Sequence, residues 1–177
     1  QTPPQSAASI LPGCTPVRVL GQGSFGTVVL VRERATGALF AAKIMSKALL
    51  VEERQVANVV TERRVLREAG ASSHPFVVKC YAGFQTPHAV VLVLEYLPGG
   101  DMYDLLKQHG CLEESQARFY IAEILAGLQE LHRHRFVYRD LELENILIDQ
   151  RGHIRLTDFG LSGKVSSSAW HDRTVFD

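Results

Sequence analysis

Residues 138–145 read YRDLELEN. An Arg-Asp pair stands just ahead of an apolar residue, and Asn145 follows Asp140 by five positions. That spacing suits a loop that turns a carboxylate toward a hydroxyl nucleophile and an amide oxygen toward a metal ion. Thirteen residues past Asn145, Asp158 opens the triplet DFG. It offers a second hard oxygen ligand of the kind Mg²⁺ takes alongside phosphate oxygens and water; standing alone, the triplet is a common turn. Lys43 lies inside the apolar run FAAKI (40–44). An unpaired ammonium there is costly, so it needs an anion, and Glu62, nineteen residues on, can supply one; the plainer reading is a surface lysine on an edge strand. In GQGSFGTV (21–28), Gly21, Gly23 and Gly26, with Ser24 among them, let a backbone approach a polyphosphate and take conformations denied to other residues. A glycine-rich hairpin without a ligand is the simpler alternative.

These residues need elements to hold them. From 17 to 40 the chain is β-favouring and broken by glycine, which predicts two or three antiparallel strands with a turn at Thr36-Gly37. Strands on both sides of the glycine run argue against a dinucleotide-binding turn, which needs a strand and then a helix, and no Gly-Lys-Ser/Thr follows to make a Walker loop. Residues 52–69 are helical by period and propensity, and Leu66 falls one turn beyond Glu62. Two further β-rich runs lie near 76–84 and 89–95. Pro98-Gly99-Gly100 then breaks the pattern, and 114–132 places Ala117, Tyr120, Ile121, Ile124, Leu125, Leu128 and Leu131 on one helical face. The expected organisation is a flexible Pro/Ser/Gln-rich arm over 1–16, a small β-rich lobe over 17–95, a hinge at 96–100 and a helical lobe over 101–177.

Taken together and in this order, the four motifs resemble the eukaryotic protein kinase domain, from about Val17 to the last residue; YRDLxLEN, ERRVL and DFGLS look most like its AGC group of serine/threonine kinases. The resemblance implies an α+β, two-lobe fold: a small antiparallel β lobe with one main helix, and a helical lobe. It implies ATP and Mg²⁺ as cofactors and phosphoryl transfer to serine or threonine hydroxyls of a protein substrate. The glycine loop would cover the phosphates, Lys43 would hold them and pair with Glu62, and Val28, Ala41 and Leu147 would enclose the adenine. Leu94 would stand at the back of the pocket, Glu95 and Leu97 would offer backbone groups to the purine, and Asp101 would reach the ribose. Asp140 would accept the hydroxyl proton while Asn145 and Asp158 held Mg²⁺. Leu66, Cys80, Tyr138 and Phe159 would stack into an inter-lobe spine, with Cys80 a small member of it.

Two features depart from the family pattern. Family members carry Lys where Glu142 stands, and that lysine neutralises the transferring phosphate. One such charge pair is worth roughly three decades of rate. Glu142 therefore argues for impaired turnover, unless it turns to solvent or pairs with a cation such as Lys164. The alternative function is a nucleotide-binding pseudokinase, or a non-catalytic fragment or scaffold. The second departure is that the sequence ends at Asp177, seventeen residues past DFG, where the family continues. An incomplete helical lobe is expected, with an uncovered apolar face open to association. Ser166, Ser167, Ser168 and Thr174 are candidate phosphorylation sites, and Arg139 is the residue that would bind such a phosphate.

Composition narrows the classes further. Nineteen basic and nineteen acidic side chains cancel, so a polyanion such as nucleic acid is not an expected partner. No apolar run approaches the ~20 residues of a membrane span, and no secretory signal peptide is evident. Cys14, Cys80 and Cys111 are odd in number and lack metal-type spacing, which points to reduced thiols in a cytoplasmic or nuclear protein.

Overall fold

The computed structural model describes residues 10–70 and 74–165. Its contacts divide the chain into two units: Gln1–Ala57 with Lys79–Tyr96, and Asn58–Val78 with Leu97–Asp177. The secondary structure is of the α+β class expected from the sequence.

The first unit is built on a five-stranded antiparallel sheet in the order β1-β2-β3-β5-β4. Its strands are β1 (Cys14–Gln22), β2 (Gly26–Glu33), β3 (Leu39–Ser46), β4 (Cys80–Gln85) and β5 (Ala89–Glu95), with a short helix α1 (Lys47–Glu52) after β3. The turn expected at Thr36-Gly37 is present; Gly37 has φ +77°, a left-handed conformation that glycine adopts without penalty. Side chains alternate between faces along each strand. Val29, Val31, Ala42, Val91 and Val93 fall on one face and form a core with Leu11. Leu11 is only 5% exposed and β1 begins at Cys14. Residues 10–16 are therefore part of the sheet unit, not of a flexible arm: an apolar side chain at 11 and a β-compatible run from 14 outweighed the Pro/Ser bias ahead of them. Residues 1–9 lie outside the described residues.

The second unit contains α2 (Val56–Glu68) apart from its first two residues, then α3 (Met102–His109) and α4 (Glu114–Arg133). The helix expected over 52–69 is α2, which starts at Val56; Arg54, with φ +55°, lies between it and α1. Asp101 caps α3, its Oδ1 accepting the Asp104 N–H at 2.7 Å, and Glu113 and Gln116 close a capping box on α4. After α4 come β6 (Phe136–Val137), a 3₁₀ turn at Leu143–Asn145, β7 (Ile146–Ile148), β8 (Ile154–Leu156) and β9 (Gly163–Lys164). β6 pairs with β9, and β7 with β8. On α4, Leu131 is buried, whereas Ile121 and Leu125 are 55% and 54% exposed. The buried stripe instead includes Glu123, Gly127 and Glu130. No helix among the described residues is long and apolar enough to cross a membrane.

Candidate active site

The expected nucleotide-side residues of the first unit share one face of the sheet. Val28 lies opposite Lys43 across β2–β3, and Lys43 opposite Leu92 across β3–β5. Two residues along, Leu30 lies opposite Ala41 and Ala41 opposite Leu94. Directly paired residues of antiparallel strands point to the same side, so Val28, Ala41, Lys43 and Leu94 project together from the face away from the Leu11–Val93 core. Lys43 is half-buried there. Cys80 pairs with Leu94; it is half-buried, and its Sγ contacts the Ala82 carbonyl at 3.4 Å, so it fills the core only in part. Glu95, the last residue of β5, is engaged on both counts: its N–H donates to the Lys79 carbonyl at 3.0 Å, and its Oε1 accepts the Lys79 N–H at 2.8 Å.

The glycine run forms the β1–β2 turn, closed by the Gly23 N–H donating to the Gly26 carbonyl at 2.9 Å. Gly21, Gly23 and Gly26 are absent from the residues with positive φ, so the expected need for forbidden conformations is not met at these positions. What constrains Gly26 is proximity: a Cβ there would lie 2.4 Å from the Ile44 carbonyl oxygen. Gly21 has no atom within 4 Å of that direction, and Gly23 has only one, at 3.9 Å. Those two present bare backbone to open space, a surface on which polyphosphate oxygens fit.

In the second unit Asp140, Glu142 and Asn145 come together. The Asn145 side chain, 8% exposed, donates from Nδ2 toward Asp140 Oδ2 at 3.0 Å, the Asp140 carbonyl at 3.1 Å and Glu142 Oε1 at 3.2 Å. With Nδ2 committed, the amide atom left for a cation is Oδ1. Asp158 follows β8 with φ +52°, in the left-handed region that a short polar residue tolerates best. The Thr157 N–H donates to the Asn145 carbonyl at 3.1 Å, which links the residue before Asp158 to Asn145. An amide oxygen and a carboxylate are the hard donors Mg²⁺ prefers, so this donor set fits that ion. Leu97 is buried, and Asp101 forms an isolated bridge with Leu147 of β7. Glu62 is 3% exposed on α2, and Leu66 is buried on the same helix.

Glu142 does not pair with Lys164. The Lys164 ammonium instead meets Glu68 Oε2 at 2.5 Å and lies 4.9 Å from the centre of the Phe136 ring. Glu142 is exposed yet turned toward Asn145. The Asp140 carboxylate pushes its carboxyl above the usual range, with smaller contributions from burial, Glu144 and Asp158. Two residues before Asp140, Tyr138 packs on Phe159, ring centres 5.5 Å apart, and its hydroxyl donates to the Thr157 carbonyl. Burial drives its phenol pKa far upward. Arg139 takes φ +65° and donates from Nε to the Leu161 carbonyl at 2.8 Å. The candidate phosphorylation sites Ser166, Ser167, Ser168 and Thr174 lie outside the described residues.

Comparison with known proteins accords with this geometry. The family model for the protein kinase domain matches residues 14–176, and the chain belongs to that family. It is 45% identical over 147 residues to serine/threonine-protein kinase sck2 of Schizosaccharomyces pombe, covering 83% of this chain and 23% of that protein. It is 45% identical over 146 residues to the RAC-beta serine/threonine-protein kinase of Rattus norvegicus, covering 82% and 30%. Protein kinase 3 of Dictyostelium discoideum is 42% identical over 146 residues, covering 82% and 16%. The chain is thus similar to the kinase portion of these serine/threonine protein kinases, and it spans less than a third of their length.

Proposed function

We propose that this chain binds ATP with Mg²⁺ and transfers the terminal phosphoryl group to serine or threonine hydroxyls of proteins, at a rate held down by Glu142. The observation that carries the reading is the Asn145 side chain, hydrogen-bonded to Asp140 and linked through its carbonyl to the residue before Asp158. Asp140 orients the incoming hydroxyl and accepts its proton, while Nδ2 of Asn145 steadies that carboxylate. Asn145 Oδ1 and Asp158 hold the metal. Lys43 and the bare backbone at Gly21 and Gly23, with Ser24 between Gly23 and Gly26, hold the phosphates. Val28, Ala41, Leu94 and Leu147 enclose the adenine, Glu95 and Leu97 offer it backbone groups, and Asp101 keeps one carboxylate oxygen for the ribose while the other caps α3. The bound Mg²⁺ supplies neutralisation of charge on the phosphates. Positioning and charge stabilisation are the two sources of rate in such a site, and Glu142 opposes the second.

A second reading follows from one observation, the turning of Glu142 toward Asn145 and Asp140. It is a nucleotide-binding protein without turnover, acting by association through the exposed side of α4. The chain's setting in either case is the reducing cytoplasm or nucleus. The test is transfer of ³²P from ATP to a basic serine peptide, run beside the thermal shift caused by Mg²⁺·ATP. The first reading expects both signals, with Asp140→Asn abolishing transfer but not the shift. A shift without transfer selects the second, and neither signal rejects nucleotide binding.

A further inference from the structure

On α4 two buried side chains are carboxylates, Glu123 and Glu130; Glu123 is 6% exposed, and a charge so placed needs partners. It finds two, both in the β7–β8 hairpin. Its Oε2 accepts the Ile154 N–H at 3.0 Å, and its Oε1 lies 2.6 Å from His153 Nδ1. The His153 ring leans on Phe119, one turn earlier on α4, with centroids 5.6 Å apart. One turn later, a Cβ at Gly127 would lie 2.9 Å from Leu156 Cδ1 and 3.1 Å from the Phe76 carbonyl, so glycine there lets the helix close onto β8. Along the outer edge of β8, the Leu156 N–H donates to the Phe76 carbonyl at 2.9 Å. The N–H two residues earlier, on the same edge, is the one Glu123 takes.

The hairpin held in this way carries the metal pair at its ends. Asn145 immediately precedes β7, Asp158 stands two residues past β8, and the Thr157 N–H to Asn145 carbonyl bond joins the two ends. An apolar side chain at 123 would pack against β8 but would leave the Ile154 N–H without its acceptor. A hydrogen bond to a carboxylate is short and directional, and it fixes the strand along its length as well as against the helix.

We propose that Glu123 is a positioning residue for the Asn145–Asp158 oxygen pair, setting the β7–β8 hairpin through His153 and the Ile154 amide so that both oxygens meet one divalent cation. This rests on the Mg²⁺ reading above. The test uses the chain with Glu123→Met, which removes both acceptors, and Glu123→Gln, which keeps an oxygen for Ile154 and a polar group for His153. Two quantities are measured: amide hydrogen exchange at Ile154 and Thr157 without ligand, and affinity for ATP with Mg²⁺ against ATP in EDTA. Glu123→Met is expected to speed exchange at both amides and to weaken Mg²⁺·ATP binding by about tenfold, leaving ATP binding in EDTA unchanged; Glu123→Gln is expected to stay near wild type in both. Wild-type exchange in Glu123→Met, or equal losses with and without Mg²⁺, overturns the proposal. If the wild-type chain binds no Mg²⁺·ATP, the nucleotide reading fails by itself, and the exchange comparison still decides whether Glu123 sets the hairpin. Should Glu123→Met not fold, Glu123→Asp draws the carboxylate back by one methylene; the same loss supports the proposal and wild-type behaviour in both measurements overturns it.

Discussion

The glycine turn between β1 and β2 and the segment 138–145 both present chemistry, but they are held by different means. The turn is an extension of a backbone ladder. Its register follows from β2–β3 pairing, and one close approach, Gly26 to Ile44, pins it. The segment has almost no ladder of its own. It is shaped by side chains that bond to backbone or to each other: Asn145 to Asp140, Tyr138 to Thr157, Ser162 to the Tyr138 carbonyl, Arg139 to Leu161. Ladder positions tolerate most side chains that respect the faces, whereas a side-chain network fails one member at a time. Function and fold should therefore separate differently in the two regions.

The sharpest way to break this comparison is at Glu142. Replacing it with lysine removes a carboxylate from beside Asp140 and supplies the charge the family uses, so ³²P transfer should rise by roughly two to three decades. No gain would mean that Glu142 is not what limits the rate. Asn145→Ala should lower transfer by at least about tenfold and weaken Mg²⁺·ATP binding, with a modest loss of urea stability. In the sheet unit the pattern should invert. Gly26→Ala forces a Cβ against the Ile44 carbonyl and should cost about 3 kcal/mol in urea unfolding, whereas Gly23→Ala, in open space, should stay within about 0.5 kcal/mol and show its effect only in ATP affinity. Equal destabilisation by the two alanines would remove the distinction drawn here.

The smallest expected effect lies at Glu68, whose carboxyl is held below its ordinary value of 4.5 by hydrogen bonds from Lys164 and Arg64. The folded state then binds that proton less tightly than the unfolded chain. The stabilisation is complete above the ordinary value and is lost as pH falls through the lower, folded one. Glu68→Gln should cost under about 1 kcal/mol at pH 7, the usual worth of a partly exposed pair, and the gap from wild type should close in acid. A gap that persists in acid would assign the loss to packing.

The two regions also differ in how far they could be read from the chain. Alternation of apolar residues and the turn at Thr36-Gly37 made the sheet legible, and the motif residues Lys43, Asp140, Asn145 and Asp158 stood out by type and spacing. The short helices did not: α1 and α3 carry too few turns for a period to emerge, and the Asp101 cap is plain only once Asp104 is seen to donate to it. Over residues 10–16 the Pro/Ser composition masks the single apolar anchor Leu11. The burial of Glu123 and Glu130 is hidden in the sequence because a glutamate on an amphipathic helix ordinarily faces solvent. The signal that could have found Glu123 was weak, a polar residue four before a glycine on the buried stripe of a long helix.

The crowding at Gly26 bears on how relatives of this chain can be interpreted. Because the obstacle is a carbonyl of the protein itself, a descendant that had abandoned nucleotides altogether would still be obliged to keep glycine at that position for the sake of its own sheet. Drift would be permitted first at Gly21 and Gly23, whose bareness serves nothing inside the fold. Among divergent members it is the first two glycines, and not the third, whose survival testifies to a retained ligand.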